Sequence, residues 1–214
     1  MGRIYDAICG RGFAALYDVV LKGTEEAGLR DMRRGTLSQA SGRAIDIGAG
    51  TGANLMLYPD AVTDLVMAEP DPHMAKRLRR KAGEAGREVE VIEAGAENLP
   101  FDDSSFDTAV FTLVLCTIPN PAAALEEAAR ILKPGGQALF LEHVRSDDPR
   151  LARWQDRLAG PWRFFNDGCN CNRDTVATIG ASPLELADVA RERMPKAPPV
   201  VRPIARGVGR LPSA

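Results

Sequence analysis

Three glycines alternate with small residues in Gly48-Ala49-Gly50-Thr51-Gly52, directly after the apolar run Ala44-Ile45-Asp46-Ile47. Lacking Cβ atoms, such a turn lets the backbone come close to a ligand. A helix starting near Ala53 would add N–H groups and a positive dipole for an anionic group. Two acids give the turn its chemistry. Glu69, at the end of the next apolar run, is placed to accept hydrogen bonds from both hydroxyls of an adenosine ribose. The turn with Ala53 also satisfies the permissive dinucleotide pattern G-x-G-x-x-G/A, so Glu69 does not separate a nicotinamide dinucleotide from other adenosine-bearing ligands. Asp46 does. A carboxylate beside the turn repels a pyrophosphate but suits a ligand carrying an ammonium group and a sulfonium. Both acids also have plain structural roles open to them, Asp46 as a turn cap and Glu69 as a helix-entry acid near Asp71.

The elements that must hold these groups follow from pattern. Arg43–Ile47, Asp64–Glu69 and Glu88–Glu93 read as strands. Asp71 caps a helix that Pro72 opens. Phe106–Cys116, mostly apolar and β-branched, reads as a strand buried on both faces of a parallel sheet. A helix from about Pro121 to Leu132 stops at Lys133-Pro134-Gly135-Gly136, and a fifth strand runs on through Val144. This alternation predicts an α/β fold with a doubly wound parallel sheet, whose ligands sit outside the carboxyl ends of the strands. Residues 3–38 read as helical, broken at Gly10, Gly12 and Gly23. In the tail, Trp154, Trp162, Phe164 and Phe165 mark an apolar helical segment leading into a loop over 166–172. Ser182-Pro183-Leu184 resembles a helix start. Leu184–Met194 and Val200–Leu211 fit either helix or closing strands, and local pattern leans to helix for the first.

Composition bounds the reading. The 214 residues are 45% hydrophobic and 26% charged, with 27 Lys and Arg against 29 Asp and Glu. That is one soluble globular domain, without the positive field that broad nucleic-acid binding needs. Two histidines exclude a His-rich metal site, and Cys169-Asn170-Cys171 lacks the second pair of a structural zinc site. No metal is expected. The cysteine spacing and the absence of a signal-peptide pattern or membrane span make the cytoplasm the expected compartment. Lys196, Arg202, Arg206 and Arg210 form an acid-free basic tail segment, read as a charge-protected sheet edge or a seat for anionic lipid headgroups.

Ala44–Gly52, then Glu69, Ala96-Glu97-Asn98-Leu99-Pro100-Phe101, Ser105-Phe106-Asp107 and Arg130–Gly136, in that order, resemble the class I S-adenosylmethionine-dependent methyltransferases. Thr112–Cys116, Leu141-Glu142-His143-Val144, Asp167–Asn170 and Val201-Arg202-Pro203-Ile204 are similar to the methyltransferase-like 7 (thiol methyltransferase) subgroup and its bacterial relatives. The resemblance implies a Rossmann-like seven-stranded sheet, mostly parallel, with an antiparallel C-terminal edge. It thereby selects strands for the tail. It implies one domain over 1–214: a helical cap (1–40), a cofactor-binding core (43–144) and a substrate-side loop with closing strands (145–214). S-adenosyl-L-methionine would be the cofactor. Asp46, Gly48, Ala49, Gly50, Thr51 and Gly52 would line its methionine part and Glu69 would hold the ribose. Pro70, Ala96 and Glu97 would lie around the adenine, and Thr112 and Leu113 would border the methyl-transfer site. Leu115, Cys116, Asp167, Cys169 and Asn170 would form the acceptor pocket. Where many relatives carry Asp before the Ala-Glu pair, this chain has Gly95, which leaves the adenine amino group to the backbone or to Glu97.

Methyl transfer from a sulfonium is an in-line displacement with an activated leaving group, so alignment in a dry pocket is the main requirement. A thiol is already partly ionised at neutral pH, whereas a phenol or ammonium benefits from a base. His143 is the candidate base or orienter, or else a hydrogen-bonded structural histidine. The expected acceptor is a small lipophilic molecule, a thiol first, with a phospholipid amine or quinone-like phenol as alternatives. A non-catalytic cofactor-binding protein and an NAD(P)-dependent reductase are the rival classes. The second lacks a Tyr-x-x-x-Lys pair. Charges at Arg3, Asp6, Arg11, Glu25 and Glu26 argue against an N-terminal membrane anchor, while an amphipathic helix covering the site or touching a membrane surface stays open.

Overall fold

The computed structural model describes residues 22–166 and 168–213. Seven strands form one sheet in the order β3-β2-β1-β4-β5-β7-β6. They are β1 (Gly42–Ile47), β2 (Val62–Ala68), β3 (Glu90–Ile92), β4 (Phe106–Thr112), β5 (Leu132–His143), β6 (Glu185–Arg193) and β7 (Pro203–Arg210). β1 to β5 are parallel, and β7 runs antiparallel to both β5 and β6. The Rossmann-like sheet and its antiparallel C-terminal edge are as expected. Chain order reverses between β1 and β4, which makes the crevice beyond their carboxyl ends the natural ligand site.

The helices cover both faces: α1 (Arg30–Leu37), α2 (Pro72–Glu84), α3 (Pro121–Ile131), α4 (Pro149–Phe165) and α5 (Thr175–Gly180). Strand alternation sorts the core. Ile45, Ile47, Phe111 and Phe140 pack against α3 residues such as Leu125 and Ala128. Ala44, Val110 and Leu139 face Leu37 of α1 and Leu78 of α2. A third cluster sits over the carboxyl end of β5: Leu29, Leu141, Cys171, Met194, Val201 and Ile204, flanked by Met32, Leu113 and Trp162. Asp71 caps α2 as expected, accepting from the His73 and Met74 N–H groups. In Lys133–Gly136 the chain bulges out of register, and the Lys133 ammonium pairs with Asp107 on β4.

Two expectations are corrected. No regular helix follows the glycine turn: residues 53–59 run as successive tight turns, with Leu55 N–H donating to Gly52 and Leu57 N–H to Asn54. Leu55, Leu57 and Tyr58 are all buried, a spacing no single helical face provides, and Pro59 cannot continue a helix. Helix runs through Gly23, and the irregularity falls at Gly28 (φ 134°), inside a π-helical turn at Glu25–Leu29. The tail forms strands, as the resemblance implies and against the local lean to helix, because β7 supplies β6 with a hydrogen-bonding partner. The Gly10 and Gly12 breaks, like the rest of the cap before residue 22, lie outside the described residues.

Candidate active site

The glycine turn owes its shape to left-handed backbone at Gly48 (φ 71°), Gly50 (φ 57°) and Gly52 (φ 81°). A Cβ on Gly48 would lie 2.1 Å from Val114 Cγ2, so this glycine lets the segment after β4 close over the end of β1. A Cβ on Gly50 would meet nothing nearer than Met74 Sδ at 4.0 Å. The space above Gly50 is therefore open. The turn's N–H groups, however, are largely spent inside the protein. Gly48 and Ala49 donate to the Ala68 carbonyl and Gly52 donates to Ala49. Gly50 donates to Glu69 Oε2 at 2.7 Å. Glu69 Oε1 accepts from Asp71 N at 2.9 Å. Glu69 thus braces the turn against the start of α2. Thr51, between these glycines, is buried.

Beneath the turn lies a buried polar network that the sequence did not announce. Arg33 of α1 donates from Nε to Glu25 (2.9 Å), and from one terminal nitrogen to Asn54 Oδ1 (3.1 Å) and Thr112 Oγ1 (3.0 Å). Asn54 Nδ2 donates to Asp46 Oδ2 (3.0 Å) and to Thr112 Oγ1 (2.8 Å). Asp46 is fully buried and its Oδ1 has no hydrogen-bond partner. Burial pushes its carboxyl up to about 6, against the opposing pull of Asn54, Tyr58 and Arg33. The buried Tyr58 hydroxyl is raised well above its ordinary range by burial and by the Asp46 charge. Thr112 is thus an anchor of this network, and Arg33 its positive centre. Neither Arg33 nor Asn54 stands in a motif, and only burial identifies them.

The far wall is a clasp between two distant segments. Leu113 adopts φ 57° and donates its N–H to the Leu141 carbonyl at 2.8 Å. Glu142, fully buried, accepts from the N–H groups of Val114 (2.8 Å), Leu115 (3.0 Å) and Cys116 (3.4 Å). Burial outweighs these bonds and pushes its carboxyl up to about 7. Asn170 grips the Cys116 carbonyl from Nδ2 (3.0 Å) and from its backbone N–H (2.9 Å). The Arg173 guanidinium donates to the Leu115 and Ile118 carbonyls. Cys116 and Cys169 are buried with their sulfurs 3.7 Å apart. Contact with Cys169, and then burial, hold the Cys116 thiol protonated, while Cys116 makes Cys169 the more acidic partner. Gln155 of α4 locks the rear, donating to the Val144, Cys171 and Val200 carbonyls and accepting from Ser146 N–H.

Cys116, Cys169 and Asn170 thus come together as expected. Leu115 does not join them: its side chain is fully buried in the core against α3, and Leu113 faces the third cluster in its place. Asp167 lies outside the described residues. Pro70 is exposed at the mouth, and Ala96 is buried beside half-buried Glu97, whose Oε1 accepts from Asn120 N–H at 3.3 Å. His143 is buried at the end of β5 with Nδ1 unpartnered. Burial brings its imidazole down to about 4, against the Val201 backbone and helped by Arg33. It is neutral and weakly basic. A surface depression of about 450 Å³ between α3 and α5, lined by residues such as Ala122, Glu126 and Thr178, includes none of these groups.

Among the described residues no helix is long and apolar enough to cross a membrane, and no three ligand side chains converge as a metal site would require. The basic tail is partly spoken for: Arg206 pairs with Glu192 across β6 and β7, and Arg202 donates to the Ala197 carbonyl.

A parallel sheet with this switch point, a left-handed glycine turn and an acid at the end of β2 defines a nucleoside-type cofactor fold, and residues 45–140 match a methyltransferase domain. The chain belongs to the class I S-adenosylmethionine-dependent methyltransferases. It is 33% identical over 166 residues to the human thiol S-methyltransferase TMT1B, covering 74% of this chain and 66% of that protein. It is 34% identical over 129 residues to phosphatidylethanolamine N-methyltransferase of Cereibacter sphaeroides, covering 58% and 61%. The chain therefore spans less than two thirds of these relatives. A Thermotoga maritima structure described as a methyltransferase, possibly for histamine, superposes with a TM-score of 0.69 at 24% identity, over 99% of this chain and 100% of that one.

The site's residues fit the family's cofactor. Open space above Gly50 admits a ligand against the backbone, the Glu69 carboxylate stands beside the turn at the end of β2, and Asp46 below the turn is a buried carboxylate whose Oδ1 has no hydrogen-bond partner.

Proposed function

We propose that this chain transfers a methyl group from S-adenosylmethionine to a small lipophilic acceptor, a thiol by preference. When bound, the cofactor supplies an activated methyl group. Glu69 takes the ribose hydroxyls, and Asp46 balances the ammonium. Arg33 supplies the positive charge that a carboxylate meets. The expected roles for the turn's N–H groups and for a helix dipole pass to this guanidinium, because those N–H groups are already paired. Leu113, Met32 and Trp162 make the acceptor side apolar and exclude water.

One observation carries the choice of acceptor: His143, two residues after Leu141 of that apolar cluster and so on the same face of β5, is held near 4. So weak a base is a poor proton acceptor from a phenol or ammonium. A thiol, partly ionised in water, needs only desolvation and alignment. His143 Nδ1 then serves as a hydrogen-bond acceptor that orients an S–H. The thiol-methylating relatives support the same reading.

The test is methyl transfer from labelled S-adenosylmethionine to a panel of alkyl and aryl thiols, phenols and phosphatidylethanolamine. Turnover should be confined to thiols. Turnover of phenols or lipid with inert thiols overturns the acceptor choice. Thermal stabilisation by S-adenosylmethionine without turnover of any acceptor would make the chain a cofactor-binding protein.

A further inference from the structure

Helix α4 has one face committed to the fold and one that no described residue covers. Ala152 and Gln155 are buried, and Trp162 turns toward the apolar cluster beside Leu113. On the outer face Trp154 (55% exposed), Leu158 (37%) and Phe165 (74%) stand with Pro161 at positions i, i+4, i+7 and i+11, one continuous stripe along the helix. Phe164 (63% exposed) widens its end, edge-on to Phe165. Soluble surfaces seldom carry such a run without a partner.

The charge beside the stripe selects the partner. Arg150, Arg153, Arg157 and Arg163 are all exposed on the same helix. Its single acid, Asp156, is already occupied by Arg145 and Asn172. Arg157 lies over the Trp154 ring at 5.6 Å, so the cation and the aromatic share one edge. A second copy docked face to face would set arginines against arginines. Residues 1–21 carry two arginines and two aspartates, no complement for four cations. Aromatic and aliphatic side chains that enter acyl chains, rimmed by arginines that stay at the phosphate level, suit an anionic bilayer surface.

We propose that the outer face of α4 is the surface by which this protein docks on anionic lipid membranes. The proposal is independent of the acceptor's identity. It has a consequence for delivery, because the same helix presents Trp162 to the apolar wall of the site, so a lipophilic molecule dissolved in the bilayer arrives beside it.

The test uses the full chain in flotation with vesicles of phosphatidylcholine containing phosphatidylglycerol, and of phosphatidylcholine alone. Binding to the anionic vesicles should be roughly tenfold stronger and should fall in high salt. The double variant Trp154→Ser/Phe165→Ser should lose roughly tenfold in binding while keeping its thermal stabilisation by S-adenosylmethionine, which shows that it folds. Lipids brominated in the acyl chains should quench wild-type tryptophan fluorescence, and Trp154→Phe should lose that quenching while still binding. No binding to anionic vesicles, equal binding by the double variant, or quenching that persists in Trp154→Phe overturns the proposal. So does a concentration-dependent dimer that the double variant abolishes, because a second copy then owns the face.

Discussion

Around Gly48–Glu69 the ligand-facing surface is backbone held by backbone: three left-handed glycines, N–H groups tied to the Ala68 carbonyl, and one carboxylate bracing the turn. Around Val114–Arg173 it is side chains holding distant backbone, with contacts that reach across 54 and 58 residues of chain. The first wall is a local motif that closes through β1–β2 pairing. The second exists only once β4, β5, α4 and the 166–173 loop have all docked. The cofactor side should therefore be sensitive to added atoms and the acceptor side to removed ones.

The largest effect is expected at Gly48. Alanine there forces a left-handed conformation on an L-residue and drives its Cβ into Val114, a β-branched neighbour with little freedom to yield. Together these cost about 2–5 kcal/mol, seen as a fall of roughly 5–15 °C in thermal unfolding. Gly50→Ala meets open space, so its stability cost should be only about 1 kcal/mol, while binding of S-adenosylmethionine drops because the methyl enters the cradle. If both variants lose stability equally, Gly50 faces protein and not ligand.

This contrast explains what the sequence disclosed. Gly48, Gly50, Gly52 and Glu69 are recognisable because their roles depend on residue type at fixed local spacing. The same holds for Asp71 as a helix cap. Arg33, Asn54, Glu142, Gln155 and Arg173 each act through at least one partner 28 to 79 residues away, and nothing in their own neighbourhood marks them. The burial of Leu115 in the core has a related cause: the left-handed Leu113 turns the chain after β4, which local spacing does not show. The missing helix after Gly52 and the β6 strand both show tertiary contact overriding local pattern, burial in one case and pairing with β7 in the other.

Gln155→Ala probes the other wall. It strands three buried carbonyls and one N–H, and should cost about 2–4 kcal/mol in chemical unfolding. Its affinity for S-adenosylmethionine, measured by calorimetry, should stay near wild type. A large loss of cofactor affinity would join the two walls into one cooperative unit and end the distinction drawn above. Glu69→Ala should do the reverse. With its ribose acceptors gone, cofactor affinity should fall roughly tenfold, about 1.4 kcal/mol. Unchanged affinity removes Glu69 from the site and leaves it as a brace for the turn.

The smallest effect separates the walls by pH. The Glu142 carboxyl rises from 4.5 to about 7 on folding, so the folded protein keeps this proton to higher pH than the unfolded chain. Its contribution is complete below about 4.5 and is lost as pH climbs through about 7, with a slope of at most ~1.4 kcal/mol per unit. Asp46, raised from 3.8 to about 6, has the same sign but finishes earlier. His143, lowered from 6.5 to about 4, has the opposite sign: its contribution is present above about 6.5 and is lost as pH falls through about 4. Between about pH 6 and 7.5 the decline therefore belongs mainly to Glu142. In Glu142→Gln the side-chain carbonyl still accepts from Val114 and Leu115, so stability near pH 6 should change by less than about 1 kcal/mol. Thermal unfolding from pH 6 to 7.5 should then be flat in the variant and fall by a few degrees in the wild type. If both fall alike, the three amides keep Glu142 ionised throughout, and the post-β4 turn is held by charge on a fixed anion instead of by a carboxyl near its titration point.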